Sequence, residues 1–143
     1  MSQALRVSLR TARTAQPQTA LRRFLALDAV VTGANGLAYL TASGPLGELL
    51  GIDAALLLEL GVFLTAYAAG VAWLASRPQP PALGVKLVVD LNVLWVVLSV
   101  VALFTWLEPT TAGLLWTPMQ AATVAGFAVL QWTALRAVSA TTR

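Results

Sequence analysis

The chain has 143 residues, of which 58% are hydrophobic and only 10% are charged, whereas an average soluble domain carries about 25% charged residues. So few charged side chains could not cover the surface of a soluble domain, and the composition therefore indicates a single-domain integral membrane protein. The sequence contains no cysteine and no histidine. Disulfides, thiol redox chemistry, cysteine nucleophiles, zinc sites of the usual kind and His-ligated haem are thereby excluded. We predict no metal and no cofactor.

The amino-terminal segment, residues 1–20, contains three arginines and no acidic residue. We interpret it as a flexible basic cytoplasmic tail that touches anionic lipid head groups. A mitochondrial transit peptide has a similar composition, but the rest of the chain does not support that reading. Residues 139–143 form a second, short cytoplasmic tail in this interpretation.

Four apolar stretches of roughly 20 residues or more, the length that crosses a bilayer, predict membrane spans. They lie at about residues 21–42, 54–75, 83–107 and 118–138. The fold class is therefore all-α, a four-helix transmembrane bundle with antiparallel neighbours. The first stretch could instead be a cleaved signal peptide, but Asp28 and Asn35 fit poorly in an apolar signal core.

The connections and caps follow from glycine, proline and short polar side chains. Residues 43–53 contain three glycines and a proline and predict a loop, with Asp53 as the N-cap of the second span. The prolines of residues 77–81 predict a tight hairpin. For the fourth span, Thr117 fits an N-cap with Pro118 at the first helical position. The alternative is a helix that begins at Thr111 and kinks at Pro118.

The orientation follows from the positions of the charges. Glu48, Asp53 and Glu108 fall on one side of the four-span arrangement. All nine basic residues fall on the other: Arg6, Arg10, Arg13, Arg22, Arg23, Arg77, Lys86, Arg136 and Arg143. Because basic residues accumulate on the cytoplasmic side, both termini should be cytoplasmic, in the cytoplasmic membrane of a bacterium. The basicity is thus explained by topology, and no nucleic-acid partner is predicted.

The first span carries a polar stripe. Asp28, Thr32, Asn35 and Tyr39 follow one another at steps of four, three and four residues, which places them along one face of a helix. In a bilayer this face must turn toward protein, because a polar face in contact with lipid is costly. On the fourth span, Gln120 and Gln131 can add hydrogen bonds between helices.

One group of candidate residues lies at the predicted cytoplasmic ends of the spans. Lys86 and Asp90 are spaced i,i+4 on the third span, so their side chains can meet, whereas Asn92 is assigned to another face. The group can be an ion-pair cluster that fixes helix register, or a polar site for a lipid head group, an ion or a proton. Its members are Asp28, Asp90, Lys86, Arg22 and Arg23.

The second group lies deeper and is the best candidate for a ligand- or proton-binding site. Asn35 and Glu59 are on spans joined by a short connection, and Tyr39 and Tyr67 lie within reach on the same two spans. Glu59 can be a hydrogen-bonded contact between helices, or a carboxyl that binds a proton or ligand in a bundle cavity.

The pattern Leu27-Asp28-x4-Gly33-x-Asn35-x3-Tyr39-Leu40, with Leu94-Trp95 in the third span, resembles small uncharacterised four-span proteins of high-GC bacteria. The layout is also similar to the broad DoxX-like class of four-helix membrane proteins. The resemblance implies the fold and no activity, since members linked to thiol redox chemistry would need cysteines.

The residue inventory favours a non-enzymatic protein with no catalytic residue. It would hold a lipid or small amphiphile in a polar-lined bundle interior, or serve as an accessory subunit of a larger membrane complex. The alternative is a small proton-coupled transporter or channel, acting as a homo-oligomer, in which Glu59 and Asp28 titrate. A membrane enzyme for a lipid or quinone is a third reading, for which no nucleophile–base pair or metal cluster can be assembled.

Overall fold

The computed structural model describes residues 2–141 of the chain, with backbone alone for residues 11–14. The predictions for the side chain of Arg13 and for Arg143 lie outside the described residues. Four helices make up the described part: α1 (Gln3–Leu50), α2 (Ala54–Ser76), α3 (Ala82–Thr105) and α4 (Thr111–Thr141). Each is long and apolar enough to cross a membrane. The all-α class, four helices that are candidate membrane spans, and the antiparallel packing are thus confirmed.

The first helix is longer than predicted at both ends. Residues 3–16 contain no glycine or proline and are rich in good helix formers, and the Ser2 hydroxyl caps the first turn by accepting from the backbone N–H of Leu5 at 3.4 Å. The segment expected as a flexible tail is therefore helical from Gln3 onwards. The carboxy-terminal segment is likewise helical as far as Thr141.

The loop expected at residues 43–53 is helical as far as Leu50. The backbone breaks at Ala42 (φ −133°, ψ 32°) and a short helical segment follows. Pro45 lies in the first turn of that segment, where the N–H that proline lacks would have no helical partner. Gly51, with φ 68° and ψ 36°, ends the segment in the left-handed conformation, and a side chain there would collide with the backbone N of Thr110 at 2.6 Å.

The second and fourth helices also differ from expectation at their starts. Asp53 occupies the N-cap position of α2, but its side chain makes no capping hydrogen bond. The fourth helix begins at Thr111 and contains Pro118, so the favoured start at Thr117 and Pro118 is wrong and the alternative start is right. Thr110 caps this helix instead, since its hydroxyl accepts from the N–H of Gly113 at 3.2 Å and donates to the Leu49 carbonyl at 2.6 Å.

The four helices form a ring in which one side is loosely closed. α1 packs against α2 and α4, and α4 packs against α3, whereas α2 and α3 hardly touch despite their short connection. Contact between α1 and α2 is close enough to require glycine, because a Cβ on Gly36 would lie 2.6 Å from Thr65 Oγ1 and one on Gly61 would lie 2.9 Å from Leu40 N.

The apolar core is divided into two clusters along the bundle. One lies at the end that carries Arg22, Arg77, Lys86 and Arg136, here called the basic end, and its buried members are Leu21, Leu25, Val71, Leu74, Val85, Val88, Ala134 and Leu135. The other is formed by Tyr39, Leu57 and Leu64 toward the opposite end. The polar residues of the interior lie between these clusters.

Candidate functional site

A buried carboxyl group, that of Asp28, is the centre of the polar interior. Its side chain is 0% exposed. Oδ1 accepts a hydrogen bond from Thr32 Oγ1 at 2.9 Å. Oδ2 accepts from Asn92 Nδ2 at 2.9 Å and from Gln131 Nε2 at 2.7 Å. Burying a carboxyl is costly unless its oxygens are hydrogen-bonded, and these donors satisfy that requirement.

The network continues beyond Asp28 until it joins all four helices. Asn92 Nδ2 also lies 3.1 Å from Gln131 Oε1, and Asn92 Oδ1 accepts from the Tyr67 hydroxyl at 3.0 Å. That hydroxyl is also 3.1 Å from the carbonyl oxygen of Val88. We call this group, comprising Asp28, Thr32, Tyr67, Asn92 and Gln131, the Asp28 network.

A cavity of about 160 Å³ adjoins the Asp28 network on the side away from the basic end. Thr32, Tyr67 and Asn92 form its polar base and separate it from the buried Asp28. Aromatic side chains form part of the wall: the rings of Phe63 and Trp95 are stacked, with centroids 6.4 Å apart and planes inclined by 8°. The stacked rings join α2 and α3 beside the cavity, where these two helices otherwise hardly touch.

The far end of the cavity is fixed by a hydrogen bond between α1 and α4. Trp116, which lines the cavity, donates from Nε1 to the hydroxyl of the buried Tyr39 at 2.9 Å. The cavity is not sealed, because lining side chains on different helices are substantially exposed, among them Phe63 at 48% and Met119 at 54%.

Two amide side chains in the cavity wall differ from those of the Asp28 network. Asn35 on α1 and Gln120 on α4 are partly buried and line the cavity. Within the described residues neither side chain hydrogen-bonds to a protein group. Each amide offers two N–H donors and an acceptor oxygen. The cavity therefore presents free donors and acceptors but no ionisable lining residue other than the hydroxyl of Tyr67.

The candidate residues of the first group are not brought together. Asp90 is exposed, and Lys86 is exposed on α3. Arg23 is exposed too, and Arg22 donates from Nε to the carbonyl of Ala75 at 3.1 Å. Neutral side chains therefore replace the expected cations as the partners of Asp28. The reason is helical geometry, since Asp90 lies about 200° around α3 from Asn92, which faces inward.

The second group is divided in the same way. Asn35 and Tyr67 both line the cavity, and Tyr39 bonds to a lining residue. Glu59 is exposed and does not line it. α2 turns Leu57, Gly61 and Leu64 inward, and a residue two positions from Leu57 points to the opposite side of the helix. The structure thus separates Glu59 from Asn35.

Asn92 is the central residue that the sequence did not reveal as a partner of Asp28. It is seven residues beyond Val85, which is buried on the same helical face. The only sequence feature that could have indicated this role was its polarity within an apolar helix. Asp90, two residues earlier, is also polar, so polarity alone did not distinguish the two. Comparisons of the chain with protein-family models, curated proteins and solved structures gave no match.

Proposed function

We propose that the chain is a bacterial cytoplasmic-membrane protein that binds a small neutral amphiphile, or the neutral polar part of a lipid, in the cavity between the two core clusters. The proposal rests chiefly on the free amides of Asn35 and Gln120. Polar groups in a membrane interior are costly without a hydrogen-bonding partner. A ligand that hydrogen-bonds to both amides would provide one. Both termini would be cytoplasmic, by the distribution of basic residues.

The size of the cavity limits what it can hold. About 160 Å³ is close to the volume of an engineered protein cavity, about 150 Å³, that accepts one benzene molecule. A single ring, or a polar head with a few carbons, fits this volume. The exposed lining side chains would let the remainder of a longer molecule extend toward the lipid.

The charge of the lining favours a neutral ligand. No lysine, arginine, aspartate or glutamate lines the cavity, so a charged head group would be moved out of water without a counter-charge. Alcohols, amides and carbonyl compounds match the donors and acceptors of two amides. The stacked Phe63 and Trp95 rings supply an apolar surface for the rest of the ligand.

The proton-coupled transporter remains an alternative with weaker support. In that alternative Glu59 and Asp28 are the titrating groups, and both must be reached by protons. Glu59 is exposed on α2, whereas Asp28 is covered by Thr32, Tyr67 and Asn92. A role as an accessory subunit of a larger complex is compatible with ligand binding and would be tested by co-purification.

Fluorescence quenching tests the proposal directly. Replacing Trp73, Trp106 and Trp132 by Phe leaves two of the five tryptophans, Trp95 and Trp116, both in the cavity wall. A brominated fatty alcohol added to this variant in nanodiscs should quench them saturably. Asn35→Leu combined with Gln120→Leu should weaken binding about tenfold or more, because two hydrogen bonds of about 1 kcal/mol each are lost.

The matched control is Gln79→Leu, which removes an exposed glutamine outside the cavity and should leave the affinity unchanged. Quenching that rises in proportion to the probe without saturating, and equally in all variants, would mean that the alcohol only dissolves in the bilayer. That result would contradict a binding site in the cavity.

A further inference from the structure

A second concave site lies at the basic end, outside the Asp28 network and the cavity. It is a groove of about 310 Å³ between α3 and α4. Its lining residues are Lys86, Trp132, Leu135, Arg136, Ser139 and Ala140. We call it the Lys86–Arg136 groove. Two cations, one indole and an apolar wall thus share one depression at the end of the bundle.

The two cations differ from Arg22 and Arg77, which lie at the same end and contact protein groups. Arg22 donates to the carbonyl of Ala75 at 3.1 Å, and Arg77 lies over the ring of Trp73 at 4.2 Å. Within the described residues, Lys86 and Arg136 have no carboxylate within salt-bridge distance. Asp90, four positions after Lys86, is exposed and does not line the groove. Among residues 2–141, no carboxylate therefore compensates the positive charge of the groove.

The surroundings match the boundary between lipid head groups and hydrocarbon. Trp132 is 41% exposed, and tryptophan is enriched at that boundary because its ring is apolar and its N–H is polar. Beyond the groove the helices present exposed Leu87, Val129 and Leu130, an apolar surface on which acyl chains can lie. Basic pockets between membrane helices on the cytoplasmic side suit anionic head groups.

We propose that the Lys86–Arg136 groove binds the phosphate of an anionic lipid head group. Arg136 can donate two parallel N–H bonds to phosphate oxygens, and Lys86 supplies a compact positive charge. The lipid's chains then pack along α3 and α4. This site is independent of the cavity proposed for a neutral ligand, so either can fail alone.

Native mass spectrometry of the full chain in a non-ionic detergent tests the assignment. Titration with phosphatidylglycerol should show one lipid bound more tightly than the rest. Lys86→Gln combined with Arg136→Gln should weaken that binding about tenfold or more, because both charge-assisted contacts are removed. Phosphatidylcholine, which has no net charge, should bind weakly to both proteins.

The matched control is Arg23→Gln combined with Arg77→Gln, which removes the same charge from the same end. Its affinity for phosphatidylglycerol should stay within about twofold of the wild type. Neither arginine lines the groove, so only a weak, salt-screened attraction between charges is lost. Equal losses in the two double variants would overturn the proposal by showing that only net charge matters. A thermal melt of each variant confirms that it is folded.

A further arm distinguishes lipid from free phosphate. Inorganic phosphate at millimolar concentration should not displace phosphatidylglycerol, because it lacks the chains that pack on α3 and α4. If inorganic phosphate displaced all of the tightly bound phosphatidylglycerol from the wild type, but displaced none from the Lys86→Gln and Arg136→Gln double variant, the groove would be assigned to free phosphate. That result would contradict the lipid assignment.

Discussion

The Asp28 network and the cavity beside it are both polar regions of a helix bundle, and they differ in how their hydrogen bonds are made. In the network, side chains from all four helices bond to one another, and Asp28 and Gln131 are completely buried. In the cavity, Asn35 and Gln120 have no protein partner among the described residues. Polarity alone therefore does not mark a binding site in such a bundle. An unsatisfied polar group facing a cavity is the informative feature.

The Asp28 network and the cavity should therefore contribute differently, the network to folding and the cavity to binding. A closed network joining four helices specifies which faces meet, and removing one member leaves the others unsatisfied. An amide that bonds to nothing in the protein contributes little to folding, so its replacement by an apolar side chain of similar size should be tolerated. Substitutions in the two regions should accordingly have opposite consequences for stability and binding.

The largest expected effect is that of Asp28→Ala. It leaves Thr32, Asn92 and Gln131 with donors that have lost their acceptor, and it should lower the free energy of unfolding by about 3 kcal/mol. Reversible unfolding in mixed micelles of SDS measures this loss.

The control for that experiment is Asp90→Ala, which removes an exposed aspartate from α3. A change of at most about 0.5 kcal/mol is expected there, as for other surface substitutions. Equal effects of the two alanine variants would show that Asp28 does not organise the bundle.

A smaller effect is expected where the network depends on close contact between α1 and α2. In Gly36→Ala the new Cβ would lie 2.6 Å from Thr65 Oγ1 and 2.8 Å from Thr65 N. The helices must separate, and overpacking of this kind costs about 2 kcal/mol. The same unfolding measurement reports it.

Gly70→Ala is the matched control, because a Cβ at Gly70 meets nothing within 4 Å. Alanine is a better helix former than glycine by about 1 kcal/mol, so this variant should be unchanged or more stable. If Gly36→Ala were equally harmless, the close approach of α1 and α2 would not constrain the polar interior.

The architecture could be predicted from the sequence because it depends on length and average apolarity. Four stretches long enough to cross a bilayer correctly predicted four helices. Their alternating directions correctly placed Arg22, Arg77, Lys86 and Arg136 at one end. The polar stripe of α1 was also informative, since Asp28, Thr32 and Tyr39 are all buried. A stripe is readable when several polar residues repeat on one face.

The partners of the stripe could not be predicted, because α2 and α3 are apolar around most of their circumference and their few polar residues do not mark one face. On α3, Asp90 and Asn92 point in different directions, and only packing decides that Asn92 turns inward. On α2, Glu59 is the only charged residue of the helix. Its charge suggested a buried role, although the helix turns it outward.

Local signals also failed where tertiary contacts supplied a better solution. Thr117 and Pro118 form a good helix-start pattern, yet the helix begins at Thr111. Thr110 caps it, with its side chain and backbone bonded to the end of α1 through Leu49 and Leu50. A cap that also ties two helices together is invisible to a pattern confined to neighbouring residues.

The most direct test of the difference between the two regions compares the chain's two interior asparagines through the same substitution. Asn92→Leu should lower the free energy of unfolding by about 2 kcal/mol, because Asp28, Tyr67 and Gln131 each lose a hydrogen-bond partner. Asn35→Leu should change it by no more than about 0.5 kcal/mol, while weakening saturable quenching by the brominated alcohol. A loss of stability in Asn35→Leu as large as that in Asn92→Leu, with quenching unaffected, would contradict the assignment of the cavity to a ligand.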